Sequence, residues 1–130
     1  MEPPVFLEIE DVLELHADLI ARFGGTDGVR DMGLLESALG MPRAGFGGEF
    51  LHTDVFEMAA AYLFHLAKNH PFLDGNKRIG ASAAMVFLDI NGWELDASND
   101  DYADLVLSVA ADGLPKSAVA EFLRAHSAQL

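Results

Sequence analysis

An eleven-residue segment, HPFLDGNKRIG at positions 70–80, brings together side chains that could carry out a reaction. It contains a histidine, a carboxylate and two adjacent cations: His70, Asp74, Lys77 and Arg78. A neutral imidazole accepts a proton near neutral pH, and a carboxylate suits Mg²⁺, which prefers oxygen ligands. Phosphoryl transfer depends mainly on positioning and on charge stabilisation. We therefore predict that His70 is a base for a hydroxyl group and that Asp74 holds Mg²⁺ beside a phosphate.

The second half of this segment has the features of an anion site at the start of a helix. The first N–H groups of a helix lack partners inside it, and the helix dipole adds partial positive charge there. Gly75 lets the backbone approach a ligand, and the amide of Asn76 can donate to a phosphate oxygen. Lys77 and Arg78 add positive charge. These four residues are predicted to bind nucleotide phosphates, and Ser82, one turn beyond Arg78, is a further candidate.

Positive charge is concentrated around this segment, although the chain as a whole is acidic. The 130 residues include 8 Lys and Arg against 21 Asp and Glu, a net charge of −13. Lys68, Lys77 and Arg78 are three of those eight cations, whereas an even spread would place fewer than one in residues 68–78. The overall charge repels nucleic acid and anionic membranes. We therefore expect no direct binding to either, and a cationic site on an anionic body.

Other bulk features narrow the class of protein. The chain has no cysteine, which excludes a disulfide framework, a cysteine-ligated zinc site and a thiol nucleophile. No apolar run approaches the roughly 20 residues of a membrane span, and the acidic start differs from a basic signal peptide. The length suits one hydrophobic core. The sequence predicts a single domain over residues 1–130, located in the cytoplasm.

Six helices are predicted from apolar residues that recur at intervals of three and four, and from the residues that end each run. A glycine-rich segment without periodicity, residues 40–52, precedes the helix before the motif and is predicted to be a surface flap. The predicted helices span residues 9–23, 31–39, 53–69, 75–90, 98–111 and 115 to near the C-terminus. The fold is thus predicted to be all-α, a compact bundle of about six helices with the motif as the turn between two of them.

The motif and several other segments resemble a known family. HPFLDGNKR resembles the signature of the Fic superfamily, His-x-Phe-x-(Asp/Glu)-(Gly/Ala)-Asn-x-Arg, and its Lys77 resembles the death-on-curing (Doc) toxin branch. The segments DVLELHADLIARFGG, GVRDMGLLESAL and GWEL, together with the glycine-rich flap, are similar to Doc sequences as well. The resemblance implies a Fic/Doc-like helical bundle with ATP and Mg²⁺ as cofactors.

The resemblance also implies roles within the motif. His70 would be the base for a protein hydroxyl, Phe72 the buried anchor of the motif loop, and Asp74 the Mg²⁺ ligand. The remaining residues would bind the nucleotide phosphates: Gly75, Asn76, Lys77 and Arg78.

Two positions distinguish the reactions known in this superfamily. Typical AMP-transferring members share a Gly at the position of Lys77 and a second Arg at the position of Ala81. The departures imply the Doc-type reaction, in which the γ-phosphate of ATP passes to a threonine of elongation factor Tu and translation stops. The resemblance further implies the toxin of a type II toxin–antitoxin system. A prevent-host-death type antitoxin would neutralise it by laying its C-terminal segment along a groove.

Two other functions stay open on the sequence alone. One is transfer of AMP or another nucleotide monophosphate, which differs in the mass added to the target. The other is a catalytically silent module that uses the anion site to hold the acidic tail of a partner in a repressor complex. If the protein is the silent module, His70→Ala should leave its toxicity unchanged. If it is either enzyme, the substitution should abolish the toxicity.

Overall fold

A computed structural model describes residues 3–130, and most of these residues are helical. The helices are α1 (Ile9–Phe23), α2 (Met32–Gly40), α3 (Val55–Asn69), α4 (Asn76–Ile90), α5 (Asn99–Ala110) and α6 (Lys116–Ala125). The prediction of a bundle of about six helices is confirmed, and four short strands accompany it. Among the described residues, no helix is both long enough and apolar enough to cross a membrane.

The helix starts follow capping residues that are recognisable in the sequence. The carboxylate of Asp54 accepts a hydrogen bond from the N–H of Glu57 at 2.8 Å, just before α3. The hydroxyl of Ser98 accepts one from the N–H of Asp101 at 3.1 Å, just before α5. Each cap satisfies an N–H group that has no partner inside the helix. This local chemistry explains why the observed bounds lie close to the predicted ones.

Helix α3 lies at the centre of the bundle and packs against α2, α4, α5 and α6. Nine of its 15 residues are buried, and Tyr62, Leu63 and Leu66 are fully excluded from solvent. The partner that carries the second half of the motif, α4, approaches α3 closely at Gly80. A Cβ atom on Gly80 would lie 2.9 Å from the carbonyl oxygen of Leu63. Glycine at this position therefore sets the spacing of the two helices that hold the motif.

We predict that Gly80→Ala lowers the free energy of unfolding by about 1–3 kcal/mol, because the added methyl group must push two packed helices apart. Chemical denaturation measures the change. Gly40→Ala is the matched control, since a Cβ there has no heavy atom within 4 Å. This control should be neutral or stabilising by up to about 1 kcal/mol. Equal stability of the two variants would contradict the steric account.

The predicted surface flap is exposed at residues 45–50, where it forms a short β-hairpin that the sequence analysis did not specify. Strand β1 (Gly45–Phe46) pairs antiparallel with β2 (Glu49–Phe50). Gly47 and Gly48 connect them, with φ angles of 63° and 83°. Two consecutive positive φ angles favour the tight turns that match the twist of paired strands. The Gly-Gly pair was the available signal.

A second pair of strands ties the end of the chain to α4. Strand β3 (Trp93–Leu95) follows α4 and pairs antiparallel with β4 (Ser127–Gln129), which follows α6. The pairing joins segments that are far apart in the sequence, and neither segment is long enough to show a strand pattern. It was not predicted for that reason.

Candidate active site

The motif loop, residues 70–75, joins the C-terminal end of α3 to the N-terminal end of α4. His70 ends α3 in the left-handed conformation, with a φ of 51°, and its side chain is exposed. Histidine accepts this conformation more readily than most residues, and Pro71 prevents the helix from continuing. Within residues 3–130 His70 forms hydrogen bonds only through its carbonyl oxygen. Both ring nitrogens are therefore available to a substrate.

A second loop, residues 26–31 between α1 and α2, is bound to the motif loop through the backbone. The N–H of Leu73 donates to the carbonyl oxygen of Gly28 at 3.0 Å. The N–H groups of Arg30 and Asp31 donate to the carbonyl oxygen of Pro71 at 2.8 and 3.0 Å. These bonds hold the motif loop in one conformation against the bundle.

The side chain of Arg30 supports the same loop. Its Nε donates to the carbonyl oxygen of His70 at 2.7 Å, and its Nη2 donates to that of Asn69 at 3.1 Å. The last carbonyl groups of a helix lack partners inside it, and a cation there complements the helix dipole. Reasoning from the sequence missed Arg30, which lies 40 residues from His70. The only signal was the Doc-like segment GVRDMG that contains it.

Phe72 lies beneath the loop, and 1% of its surface is exposed. The buried side chain of Asn76 brackets it: Oδ1 accepts from the N–H of Phe72 at 2.9 Å, and Nδ2 donates to its carbonyl oxygen at 3.0 Å. The sequence analysis expected the Asn76 amide to donate to a phosphate. In the structure this amide closes the loop around Phe72, and binding of a phosphate by Asn76 stays a prediction.

A histidine of α1 completes the support of the loop. His16 is buried, its ring stacks on Phe72 with centroids 3.7 Å apart, and its Nε2 lies 2.8 Å from the carbonyl oxygen of Asp74. Sequence reasoning found no partner pattern for His16. The signals were its place on the apolar face of α1, where a polar ring needs a buried partner, and the Doc-like segment DVLELHADLIARFGG that contains it.

The carboxylate of Asp74 is exposed and is oriented by two backbone donors. Its Oδ2 accepts from the N–H of Thr26 at 3.2 Å, and its Oδ1 accepts from the N–H of Gly75 at 2.8 Å. These hydrogen bonds, that of Thr26 first, hold the pKa of Asp74 below its usual value. Asp74 is therefore ionised and fixed in direction at neutral pH.

Two exposed cations, Lys77 and Arg78, stand on the first turn of α4, which begins without a side-chain cap. Within residues 3–130, no carboxylate lies within 4 Å of either charged group. The guanidinium of Arg78 lies 4.9 Å over the ring of Phe23. Lys68 does not belong to this cationic group, because it forms an ion pair with Asp112 at the end of α5. Lys77 and Arg78 therefore form the cationic group at the motif.

Comparison with known proteins shows the family of this chain. The Fic/DOC family matches residues 6–88, a stretch that includes α1, α2, α3 and the motif loop. The chain belongs to the Fic/DOC family. It is 37% identical over 115 residues to "Protein kinase doc" of Escherichia phage P1, an alignment that covers 88% of this chain and 90% of the relative. It is 42% identical over 125 residues to "Toxin Doc" of Mycolicibacterium smegmatis, covering 95% of this chain and 94% of the relative.

The Fic/DOC match contains every residue that meets at the motif loop, including Arg30 and His16. Ser82 also lies within it, half-buried on α4, and its part in the site stays a prediction. The β1–β2 hairpin belongs to the opposite end of α3, where the ring of Phe50 lies 5.4 Å from that of Phe6. The 15 residues of α3 extend over about 22 Å between this end and His70. The motif loop, rather than the hairpin, therefore defines the candidate active site of this Fic/DOC protein.

Proposed function

We propose that this protein transfers the γ-phosphate of ATP to a hydroxyl group of a translation factor, elongation factor Tu, and so acts in the cytoplasm as the toxin of a toxin–antitoxin pair. One observation carries the proposal. The braced motif loop and the first turn of α4 together present an imidazole, an oriented carboxylate and two cations, and among residues 3–130 the imidazole has no hydrogen-bond partner and the cations have no carboxylate partner. The names of the two Doc relatives, a protein kinase and a toxin, support the same function.

In the proposed reaction His70 accepts the proton of the substrate hydroxyl. The hydroxyl oxygen forms a bond to the γ-phosphorus, and the bond between that phosphorus and the β,γ-bridging oxygen breaks, so that ADP leaves. The proton passes from the ring of His70 to solvent. The ring is exposed and has no hydrogen-bond partner among residues 3–130, which suits this role.

The N-terminal turn of α4 suits the phosphates of ATP. Its first N–H groups point away from the helix, and Lys77 and Arg78 add charge that no nearby carboxylate of residues 3–130 neutralises. Arginine contributes a planar fork of donors and lysine a compact point charge. Because charge develops on the phosphate oxygens during transfer, these groups stabilise the transition state.

Asp74 is the residue that would hold Mg²⁺. Its carboxylate is ionised and exposed, and two N–H donors fix its direction, as a metal ligand requires. Within residues 3–130, no cluster of three or more His, Asp or Glu could hold a metal ion without help. This fits Mg²⁺, which commonly binds one or two carboxylates together with substrate phosphates. When bound, the ion neutralises phosphate charge.

Phosphate transfer is proposed over AMP transfer because of two residues. AMP-transferring members share a Gly at the position that Lys77 occupies here. They also share a second Arg at the position of Ala81. Ala81 is partly buried, and its carbonyl oxygen accepts a hydrogen bond from the hydroxyl of Tyr102 at 2.7 Å. Position 81, where AMP-transferring members have the second Arg, therefore lies in the packed contact between α4 and α5.

The test uses the purified protein with Mg²⁺, elongation factor Tu and ATP labelled on the γ-phosphate in one tube and on the α-phosphate in another. We expect label on the factor only from γ-labelled ATP. Label only from α-labelled ATP would establish AMP transfer and overturn the proposal. If neither label is transferred to any protein of a cell extract while the protein remains folded, the silent binding module replaces the enzyme.

The proposed partner is a prevent-host-death type antitoxin, and a groove between α1 and α4 suits its C-terminal segment. The groove has a volume of about 500 Å³. Its floor is apolar and its rim on α1 is acidic: Leu7, Leu15, Val86, Ile90, Asp11, Glu14 and Asp18. Apolar contact provides affinity, and a carboxylate rim favours basic side chains. A segment that alternates apolar and basic residues would fit this surface.

We predict that Ile90→Glu weakens binding of the antitoxin's C-terminal peptide at least about tenfold, because it places a charge in an apolar floor. Isothermal titration calorimetry measures the affinity. Leu107→Glu is the matched control on α5, outside the groove, since Leu107 is 54% exposed and Ile90 is 46% exposed. Equal affinities for the two variants would place the antitoxin on another surface.

A further inference from the structure

We infer that His16 is a positioning residue that fixes the Asp74–Gly75 peptide and, through it, the direction of the Asp74 carboxylate. The inference rests on the proposed function, in which Asp74 is the Mg²⁺ ligand. His16 lies on the inner face of α1, is 2% exposed, and precedes Asp74 by 58 residues in the sequence. It contacts the motif loop at two points, the ring of Phe72 and the backbone carbonyl oxygen of Asp74.

The ring of His16 forms a hydrogen bond to the backbone of Asp74. A carbonyl oxygen only accepts hydrogen bonds, so the 2.8 Å contact requires the hydrogen of the His16 ring to be on Nε2. The other nitrogen, Nδ1, faces the carboxylate of Asp27, whose Oδ1 lies 3.8 Å away. The ring itself stacks on Phe72 with an angle of 10° between the planes. Stacking and hydrogen bond together leave the ring one orientation.

The planarity of the peptide bond connects this hydrogen bond to the direction of the Asp74 carboxylate. The C=O and N–H groups of a trans peptide point in opposite directions. Because His16 holds the carbonyl oxygen of Asp74 towards the interior, the N–H of Gly75 points outward, where it donates to Oδ1 of Asp74 at 2.8 Å. One of the two hydrogen bonds that orient this carboxylate therefore depends on a side chain of α1.

Without the hydrogen bond from His16, the Asp74–Gly75 peptide would be free to rotate. Gly75 has a φ of 73° and no side chain, so glycine presents little barrier to reversal of the peptide that precedes it. A reversed peptide would direct the N–H of Gly75 inward and remove it from Asp74. A Cβ atom on Gly75 would lie 3.6 Å from Nε2 of His16, so the histidine packs directly against this turn.

Two substitutions separate the hydrogen bond from the packing. His16→Phe keeps an aromatic ring against Phe72 but lacks a donor, whereas His16→Gln supplies an amide N–H near the position of Nε2. His126→Phe is the matched control. His126 also stacks on a phenylalanine, Phe122, with centroids 4.1 Å apart, and its Nδ1 also bonds a backbone carbonyl oxygen at 2.8 Å. It stands at the end of α6, outside the motif loop.

The full-length protein is studied by NMR without nucleotide, and phosphate transfer is measured separately. We expect a slowly exchanging Nε2–H signal from His16. In His16→Phe the Gly75 amide should lose its hydrogen-bonded shift, and kcat/KM should fall about tenfold or more. His16→Gln should recover most of both, and His126→Phe should alter neither.

The amide signal tests the inference even if the protein transfers no phosphate. An unchanged Gly75 amide in His16→Phe would overturn the positioning role, whatever the activity. Losses of transfer that merely follow the melting temperature, equally in His16→Phe, His16→Gln and His126→Phe, would also overturn it. Absence of transfer in the unmodified protein would instead count against the proposed function alone.

Discussion

Replacing His70 with asparagine should lower phosphate transfer by about 10²–10⁴-fold while the fold stays intact, because the reaction loses its general base. Asparagine suits the test for a structural reason. His70 has a φ of 51°, and asparagine is among the few residues that tolerate this conformation readily. Its amide does not accept a proton near neutral pH. Transfer of γ-labelled phosphate to elongation factor Tu measures the effect.

His70→Ala is the companion variant, since it also removes the base but places alanine in a left-handed conformation. It should lose transfer equally and in addition lower the free energy of unfolding by about 1 kcal/mol. Thermal denaturation separates the two effects. Transfer by His70→Asn within tenfold of the unmodified protein would show that another group accepts the proton. Undiminished toxicity of both variants in cells would favour the silent binding module.

Replacing Asp74 with asparagine should reduce transfer at least about a hundredfold, because one charged Mg²⁺ ligand is lost while the size of the side chain is kept. The amide oxygen can still accept one of the two hydrogen bonds, from Thr26 or Gly75, so the loop should keep its conformation. The Mg²⁺ concentration needed for half-maximal transfer should rise. A titration with MgCl₂ at saturating ATP measures it.

Asp89→Asn is the matched control, because Asp89 is an exposed carboxylate on the last turn of the same helix, α4. It should leave both the rate and the Mg²⁺ dependence unchanged. The pKa of Asp74 lies below its usual value, so mild acid should not reproduce the effect of the substitution. If Asp74→Asn lowered the rate without shifting the Mg²⁺ dependence, Asp74 would act through the loop and not as a ligand.

The helices could be predicted because their signals are local. The apolar period of α1 predicts residues 9–23, and the structure has Ile9–Phe23. Asp54 and Ser98 mark the starts of α3 and α5 through hydrogen bonds that span only three residues. The β1–β2 hairpin also had a local signal, the pair Gly47–Gly48, but these residues were predicted only as part of a surface flap. The pairing of β3 with β4 had none, because it joins distant segments.

The reactive groups proposed for the site are neighbours along the chain, so the sequence alone was enough to propose them. The motif from His70 to Arg78 brings base, carboxylate and cations together in nine residues. The chemistry of each side chain and the start of a helix suffice to suggest phosphate binding. The family match includes this motif and the two relatives are named a protein kinase and a toxin, whereas the roles of the individual residues stay predictions.

Only the tertiary structure decided what holds these groups in place. Arg30, His16 and the N–H of Thr26 reach the motif loop from 40 to 58 residues away. It also decided that the amide of Asn76 brackets Phe72 and that Lys68 pairs with Asp112. The physical reason is that most of these supports bind backbone carbonyl and N–H groups, which every residue carries. Such partners leave no pattern in residue type or spacing, so the packing of α1 and its following loop against α4 had to be seen.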